Sequence, residues 1–554
     1  MNVRDCDVLV IGGGLAAMRA ALIAEAAGRK TTLLLKGVLG LSGSSAIAGG
    51  GLAAVMHVPE APEDNEERHY ADTLTAGDGL NDPVLVRRLA AEAGPAIAEL
   101  EAFGAEFVRH DNGDIAVFLA PAHTQKRSVR VEGGGTARMV GPISAYIRSR
   151  PIDLIERTTV LDLLIVDGRI GGVVAVGPQG LKLLRAKAVV LASGGAGQIY
   201  PLTSTMGEST GDGYAMALRH GLRLTGMEFV QFTPTALAWP EPLAGTSTGG
   251  VLLGLPQTRM WNAKGERIME KYDPERKEAS TRAILSRAIQ TELAEGRGSP
   301  HGGIFLDLTK NDHETLERLA APFMKKLEAH GIDLRQQPIE IAPAVHYFMG
   351  GIEIDAESRT GIAGLFAAGE VAGGVQGSNR LSSNSLTEVN VFGRIAGRSA
   401  VDCAEQSVLM SLPVLEALAR QAVPCATGDT SLDAPLKALH AELRQVMFAH
   451  AGIVRDAKAL AAGLGAIADL RKKQAALGTP GVNDLKRWHE LRNMLDTGEA
   501  VTRSALHREE SRGSHFRLDF PERHDERWMV VTTVQGVAGA MQVGERKPEL
   551  SAVA

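Results

Sequence analysis

The chain has 554 residues, which is too long for one ordinary domain and predicts about two to four units with separate hydrophobic cores. Hydrophobic residues make up 44% of the chain and charged residues 22%, the balance of an ordinary globular protein. The net charge of −6 argues against a nucleic-acid-binding or anionic-membrane surface.

The apolar stretches and the cysteines indicate the cellular compartment of the protein. The sequence contains no apolar run of about 18 residues, so we expect no transmembrane segment. The first apolar stretch runs into glycines instead of a signal-peptide cleavage site. The three cysteines, Cys6, Cys403 and Cys425, are far apart, which argues against a self-contained iron–sulfur cluster or a zinc site. This pattern suits the reducing cytoplasm.

The first 36 residues read as strand, glycine turn, Ala-rich helix and second strand. Gly12, Gly13 and Gly14 form the turn, where Gly12 and Gly14 let the backbone approach a pyrophosphate closely. Ala17 is small enough for tight packing between helix and sheet, and the helix directs its amide groups at the phosphates. Lys36 ends the second strand, where an acidic ribose-binding residue is common, and we include it among the expected cofactor-binding residues. This motif alone therefore leaves FAD and NAD open.

Three further glycine-rich stretches favour FAD. One follows the second strand directly (41–55), and two are apolar strands that break into glycines (187–197 and 361–374). Glycine turns so widely separated along the chain are typical of a two-part FAD domain, whose sheet is assembled from segments far apart in sequence.

An ordered set of motifs resembles one family over about residues 5–530. The motifs are TGDG (210–213), EFVQFTPT (228–235), NAKGERIM (262–269), TRAILSRAI (281–289), FLDLT (305–309), PAVHYFMGGI (343–352), GSNRLSSNSLTE (377–388) and REESRGSHFRLDFPER (508–523). Together they resemble the flavoprotein family of succinate dehydrogenase, fumarate reductase and L-aspartate oxidase.

The resemblance implies an α/β fold with a Rossmann-like FAD-binding domain that is interrupted by an α+β capping domain and followed by a helical domain. The implied boundaries are 1–235 plus 341–400 for the FAD-binding domain, 236–340 for the capping domain, 401–535 for the helical domain and 536–554 for a tail. Helical spacing of apolar residues over 437–477 supports the third unit independently.

The resemblance also places the flavin contacts. They fall on the Gly12–Gly14 turn and on Ser44, Ser45, Gly50, Gly51, Asp212, Glu370, Ser385 and Leu386. A carboxylate at Glu370 suits a ribityl or ribose hydroxyl. The respiratory members carry a histidine that links covalently to the flavin at the position of Ser44. The resemblance therefore implies non-covalent FAD.

The active site implied by the resemblance has a clamp for the substrate carboxylate near the flavin. His346 and Arg380 match this near clamp, since arginine offers a two-pronged donor to a carboxylate. Arg282 matches the residue that passes a proton to or from the substrate carbon, which requires a lowered arginine pKa. Ala283 stands where the family has a relay aspartate, which leaves the route of proton delivery open.

The clamp for the far carboxylate departs from the family. Thr233 stands where the family has histidine, and TGGVLLGLP (248–256) offers leucine and glycine instead of a threonine–glutamate pair. A neutral hydroxyl does not compensate a buried carboxylate. Thr233 therefore reads as a specificity residue, and the sequence leaves open whether neighbouring polar side chains replace the lost donors: Thr246, Ser247, Thr248, Gln257 and Arg259.

The function predicted from the resemblance is an FAD-dependent oxidoreductase. It transfers a hydride between flavin N5 and the carbon next to a carboxylate of a small organic acid. Its electrons go to oxygen, a free carrier or a separate iron–sulfur or ferredoxin-like partner. The alternatives are a flavoprotein subunit of an iron–sulfur-coupled complex and a non-catalytic FAD-binding scaffold. The substrate, the direction, the electron partner and the oligomeric state stay open.

Overall fold

A computed structural model describes residues 1–424 and 431–548. Cys425 and residues 549–554 of the expected tail lie outside the described residues. The described strands are β1 (Asn2–Ile11), β2 (Thr31–Leu34), β3 (Gly51–Ala53), β4 (Val117–Phe118), β5 (Ser128–Arg130), β6 (Asp153–Ile155), β7 (Thr159–Val166), β8 (Arg169–Gly177), β9 (Gly180–Leu191), β10 (Arg223–Thr225), β11 (Val230–Leu237), β12 (Arg259–Trp261), β13 (Ile304–Asp307), β14 (Ile339–Phe348), β15 (Gly351–Ile352), β16 (Leu365–Ala367), β17 (Val531–Val537) and β18 (Ala540–Arg546).

Helices alternate with strands in the first half of the chain and dominate after residue 384. The described α-helices are α1 (Leu15–Ala26), α2 (Glu66–Ala76), α3 (Pro83–Ala102), α4 (Ala137–Arg148), α5 (Asp212–Arg219), α6 (Met269–Tyr272), α7 (Arg282–Ala294), α8 (His313–Glu328), α9 (Asn384–Glu405), α10 (Leu412–Ala422), α11 (Asp433–Ala451), α12 (Ala457–Ala476), α13 (Leu485–His507) and α14 (Asp525–Trp528). Among the described residues, none of these helices has the length and apolar character needed to cross a membrane.

The main sheet has seven strands in the order β6-β2-β1-β9-β8-β7, with β16 beside β9. β1 pairs in parallel with β2 and β9, and β16 also runs parallel to β9. Strands β9 and β16 are neighbours although more than 170 residues of chain separate them. The predicted α/β fold with a sheet assembled from distant segments is therefore confirmed.

Two helices, α1 and α9, pack against this sheet and against each other. Small residues at their contact allow the close approach. Ala-rich α1 is buried along most of its length and packs against α9. A Cβ atom at Gly393 of α9 would lie 2.5 Å from the carbonyl oxygen of Ala16, so only glycine permits this approach. The close packing fixes the start of α9, which carries predicted flavin contacts, relative to the start of α1.

The predicted capping segment has a hydrophobic core of its own, centred on residues such as Leu252, Met260, Ile289 and Leu306. Its sheet, in the order β11-β14-β13-β12, continues into the FAD-binding part of the chain. The boundaries expected at 235/236 and 340/341 fall inside β11 and β14. One continuous sheet thus carries both Thr233 and His346.

The carboxyl-terminal part is helical from α10 to α13, as expected, but it ends differently. Residues 536–548, expected as a tail, include β18, which pairs with β17 in a hairpin. Ala538 and Gly539 both have positive φ (49° and 82°), the geometry of a two-residue turn that matches the strand twist. The hairpin extends a sheet through β10, so this segment is part of the fold.

Candidate active site

The first glycine turn has the backbone that a pyrophosphate site needs. Gly12 has a φ of 136°, and a Cβ atom there would lie 2.1 Å from the carbonyl oxygen of Ala192. The N-cap of α1 is Gly14, which has no side chain to cap the first turn. The amide of Leu15 donates to Ser45 Oγ at 3.1 Å, which brings the predicted Ser44–Ser45 segment over the start of the helix. Free amide groups at a helix start bind phosphate oxygens.

Lys36 and Asp212 are brought together by the fold. The Lys36 ammonium lies 2.7 Å from Asp212 and 3.0 Å from Glu490 of α13, and it donates to Thr210 at 2.6 Å. Burial opposes its charged form, but the two carboxylates outweigh burial and raise the Lys36 pKa. The charge of Lys36 is therefore compensated within the protein, and its predicted contact with FAD stays a prediction.

The start of α9 lies beside the predicted Gly50–Gly51 contact. Ser383, the N-cap, has a φ of 65° and makes no side-chain cap, so the first turn with Ser385 and Leu386 keeps free amide groups. The hydroxyls of Ser383 and Ser128 lie 2.9 Å apart, and His123 Nε2–H donates to the carbonyl of Ser382 at 2.7 Å. These contacts hold the strained turn in place.

Glu370 is buried against the end of β14. Its carboxylate accepts a hydrogen bond from the amide of Phe348 at 3.1 Å. Burial raises the pKa of Glu370 to about 7. A buried carboxyl group with unused acceptor capacity suits the predicted contact with a flavin hydroxyl.

The two residues of the predicted near clamp come from β14 and from the turn before α9. Arg380 is 7% exposed and donates to Gln231 Oε1 at 2.9 Å and to the carbonyl of Leu381 at 3.3 Å. Its guanidinium carbon lies 5.3 Å from the centre of the Tyr347 ring. Each of these partners is uncharged, and no carboxylate among the described residues forms a direct ion pair with Arg380.

The nearest carboxyl groups compensate Arg380 only in part. Glu388 accepts hydrogen bonds from Tyr347 at 2.7 Å and from Gln376 at 2.5 Å. Burial raises its pKa to about 7, the same value as that of Glu370. At neutral pH both groups are therefore partly protonated, and neither contacts Arg380 directly.

Arg282, His346 and Arg380 lie close enough to affect one another electrostatically. Burial lowers the pKa of Arg380 to about 10, with the charge of Arg282 as the next cause. Burial, and then both arginines, lower the pKa of His346 well below its usual range. His346 is therefore a neutral imidazole at neutral pH.

Arg282 is the first residue of α7, directly after the N-cap Thr281. Its side chain has exposed surface, yet the surrounding protein displaces enough water to lower its pKa. Both observations fit a side chain that faces a cavity. A lowered pKa is what a proton-donating arginine needs.

Thr233, the residue predicted to face the far end of the substrate, lies on β11. Thr233 pairs with Ala344, two residues before His346 on β14, and the register between the two strands shifts at His346. Thr233 is 7% exposed, and its hydroxyl makes no hydrogen bond to the described residues. It can therefore contact a ligand as a neutral donor or acceptor.

Two of the proposed replacement donors already have partners. The Thr248 hydroxyl lies within 3.0 Å of the Thr235 carbonyl and 2.8 Å of the Thr235 hydroxyl. Arg259 donates to the carbonyls of Pro256 at 2.9 Å and Thr258 at 2.7 Å. Neither is free to take the role of the family's far clamp without rearrangement.

Gln231, Tyr347 and Ser204 contact Arg380 or His346 of the predicted clamp, and sequence reasoning did not single them out. Gln231 precedes Thr233 by two positions in one strand, so strand alternation could have indicated it. Tyr347 lies inside a quoted motif beside His346. Ser204 lies in a loop for which the sequence offers no signal.

Comparison with known proteins identifies the family to which this chain belongs. An FAD binding domain model matches residues 7–386, and a fumarate reductase flavoprotein C-terminal model matches residues 440–553. The chain belongs to the flavoprotein oxidoreductase family of fumarate reductase, succinate dehydrogenase and L-aspartate oxidase. The predicted family, the FAD cofactor and the oxidoreductase class are confirmed.

The relatives are similar over nearly their whole length. The chain is 38% identical to one subunit of the fumarate reductase (CoM/CoB) of Methanothermobacter marburgensis, over 94% of this chain and 96% of that protein. It is 34% identical to L-aspartate oxidase of Synechocystis sp., over 98% of this chain and 99% of that protein. A solved structure of E. coli quinol fumarate reductase has 30% identity and a TM-score of 0.89, covering 100% of this chain and 98% of that one.

We expect the FAD of this family member to be released by acid. Ser44 offers a hydroxyl where a covalent link requires an imidazole, so only non-covalent contacts hold the flavin. After precipitation with trichloroacetic acid, the flavin absorbance should be found in the supernatant. Yellow colour that stays with the washed pellet would contradict the assignment of Ser44.

Proposed function

We propose that the protein transfers a hydride between FAD and the carbon next to a carboxylate of a small organic acid whose far end differs from that of succinate. One observation carries this proposal: His346, Arg380 and Arg282 form an anion-attracting cluster in which no carboxylate among the described residues contacts either arginine. A buried positive charge without a direct partner is costly, and a substrate carboxylate would compensate it.

The near carboxylate binds to Arg380 and His346. The guanidinium presents parallel N–H groups to the two oxygens and fixes the plane of the carboxylate. The neutral His346 adds one hydrogen bond. Bound FAD supplies the chemistry of accepting or donating the hydride. The protein's contribution is to hold the neighbouring carbon in one orientation and to polarise it through the clamped carboxylate.

Arg282 transfers the proton at the second carbon. Its pKa is lowered by desolvation alone, and no carboxylate contributes to that shift. With Ala283 in place of the relay aspartate, solvent in contact with the exposed part of Arg282 restores its protonation state. Proton delivery by water is therefore part of the proposal.

The far end of the substrate meets Thr233 and not a cationic donor. A second carboxylate there would lose part of its hydration without gaining an ion pair. The proposal therefore favours an acid whose tail is uncharged or is reached by solvent.

An anaerobic titration tests the function. The FAD-loaded protein is mixed with succinate, aspartate and a panel of amino, hydroxy and other saturated acids, while the flavin absorbance is followed. Unsaturated acids are added to protein that has first been reduced with dithionite. Bleaching by a saturated acid, or reoxidation by an unsaturated one, supports the proposal. Flavin that responds to no member of the panel would favour a non-catalytic scaffold.

Thr233→His should improve the reduction of fumarate. If the native protein lacks mainly one charge-assisted contact, about 1.5–3 kcal/mol corresponds to roughly a 10- to 150-fold deficit in kcat/KM, and the histidine should recover part of it. Recovery is partial because the 248–256 segment still lacks its glutamate. The measurement is fumarate reduction with a reduced viologen dye.

Gln337→His is the matched control for that variant, because Gln337 is exposed in the predicted capping segment and is not among the candidate far-clamp residues. It should not change kcat/KM for fumarate. Efficient native fumarate reduction that Thr233→His does not improve would show that Thr233 does not set substrate choice.

A separate electron-transfer partner is the second part of the proposal. The relative from Methanothermobacter is named as one subunit of its enzyme, which indicates further subunits in that protein. The widely spaced cysteines of this chain favour an iron–sulfur group on another protein, and a cytoplasmic location. Co-purification of the tagged chain from its own host, followed by iron analysis, tests this partner.

A further inference from the structure

A short loop segment lies against β14 directly beside the clamp histidine. The amide of Ser204 donates to the carbonyl of Val345 at 2.8 Å, and the amide of Val345 donates to the carbonyl of Leu202 at 3.0 Å. Thr203 and Val345 form a parallel bridge. The backbone of Ser204 is therefore fixed relative to His346.

The hydroxyl of Ser204 has two acceptors within reach. His346 Nδ1 lies at 2.8 Å and the carbonyl oxygen of Val345 at 3.2 Å. The same carbonyl already accepts the Ser204 amide, and the Thr203 hydroxyl lies 3.2 Å from it. A carbonyl oxygen has two lone pairs, so three donors compete for two places. The hydrogen bond from the Ser204 hydroxyl to His346 Nδ1 is the shorter one, and no other donor among the described residues competes for that nitrogen.

We propose that Ser204 is a positioning residue that donates its hydroxyl proton to His346 Nδ1 and so holds the imidazole in the tautomer with its proton on Nε2. Nε2 has no hydrogen-bond partner among the described residues, which leaves its N–H for a ligand carboxylate. The inference deepens the proposed function and rests on it only for the identity of that ligand.

The tautomer matters because His346 is neutral. Burial and the charges of Arg380 and Arg282 lower its pKa, so the imidazole carries one proton. With the proton on Nε2, the ring donates to a carboxylate. With the proton on Nδ1, the ring presents a lone pair to the same oxygen and repels it. A hydroxyl that fixes this choice controls whether the near clamp has one donor group or two.

Paired variants separate this role from general packing. Ser204→Ala removes the hydroxyl, while Ser204→Thr keeps it. Ser204→Ala should raise KM for the acid that reacts with the flavin by about three- to tenfold, the value of one hydrogen bond, with a smaller change in kcat. Ser204→Thr should stay close to the native KM. Equal KM values for all three proteins would overturn the proposal.

The tautomer itself is read by nitrogen NMR of FAD-loaded protein labelled with ¹⁵N-histidine, in which His346→Gln identifies the signal. We expect an unprotonated Nδ1 in the native protein and in Ser204→Thr, and partial protonation of Nδ1 in Ser204→Ala. A protonated Nδ1 in the native protein would refute the inference. Since the spectrum requires no turnover, an unprotonated Nδ1 in a protein that reacts with no acid refutes only the proposed function.

Discussion

Replacing Arg282 with glutamine should lower kcat by about 100- to 10,000-fold, the range that general acid–base catalysis contributes. Glutamine keeps a polar, shorter side chain and cannot donate the proton in the transition state. KM should change less than kcat, because Arg380 and His346 bind the near carboxylate. Steady-state turnover of the acid identified in the anaerobic titration, measured with and without the substitution, checks this result.

Arg287→Gln is the matched control. Arg287 also lies on α7, its pKa is also lowered by burial, and its guanidinium packs on the Phe516 ring at 4.6 Å. Losing it should leave most of the turnover intact. Equal losses for both variants would mean that the defect comes from disturbing α7 and not from losing the proton donor.

Local backbone rules made the flavin end of the fold predictable. The Gly12–Gly14 turn, the small Ala17 and the apolar strands each satisfy a steric requirement that leaves few alternatives. Residues far apart in sequence could be placed only through the family resemblance. His346 and Arg380 come from different segments, and no spacing rule predicts that they meet.

The parts that sequence could not predict depend on tertiary contacts. Lys36 is an ion-pair partner because α13 brings Glu490 to it, and a carboxylate from so distant a segment leaves no local pattern. Ser204 lies beside His346 because its loop pairs with β14. The boundaries at 235/236 and 340/341 fell inside strands because the capping segment extends an existing sheet.

The charge pattern of the near clamp also explains why its supports are neutral. Gln231 holds Arg380 with its amide oxygen, while its amide nitrogen donates to Asn379 at 2.9 Å. A glutamate in that position would pair with the guanidinium and compete with the substrate carboxylate. A neutral partner such as Gln231 orients the Arg380 guanidinium and leaves its positive charge uncompensated. A binding site for an anion requires such a charge.

Arg380→Lys tests that clamp and should lower kcat/KM by roughly 10- to 150-fold while FAD occupancy stays unchanged. Lysine keeps a positive charge but cannot donate two parallel hydrogen bonds to a carboxylate as the guanidinium does. One lost charge-assisted hydrogen bond weakens binding by about 1.5–3 kcal/mol. The flavin-to-protein absorbance ratio reports occupancy, and steady-state turnover reports kcat/KM. Arg444→Lys is the control, because within the described part of the chain Arg444 also donates only to neutral oxygens, those of Gln198.

Relative to the native protein, Arg380→Lys should show an added pH dependence of kcat/KM. Burial and the charge of Arg282 already lower the pKa of Arg380 to about 10, and a lysine amine in that place starts from a lower intrinsic pKa. The introduced ammonium therefore loses its proton as pH rises, whereas the native guanidinium stays charged through neutral pH. The deficit in kcat/KM should widen with rising pH and narrow in mildly acidic buffer. A deficit that is constant from about pH 6 to about pH 9 would mean that geometry alone, and not charge, limits the lysine variant.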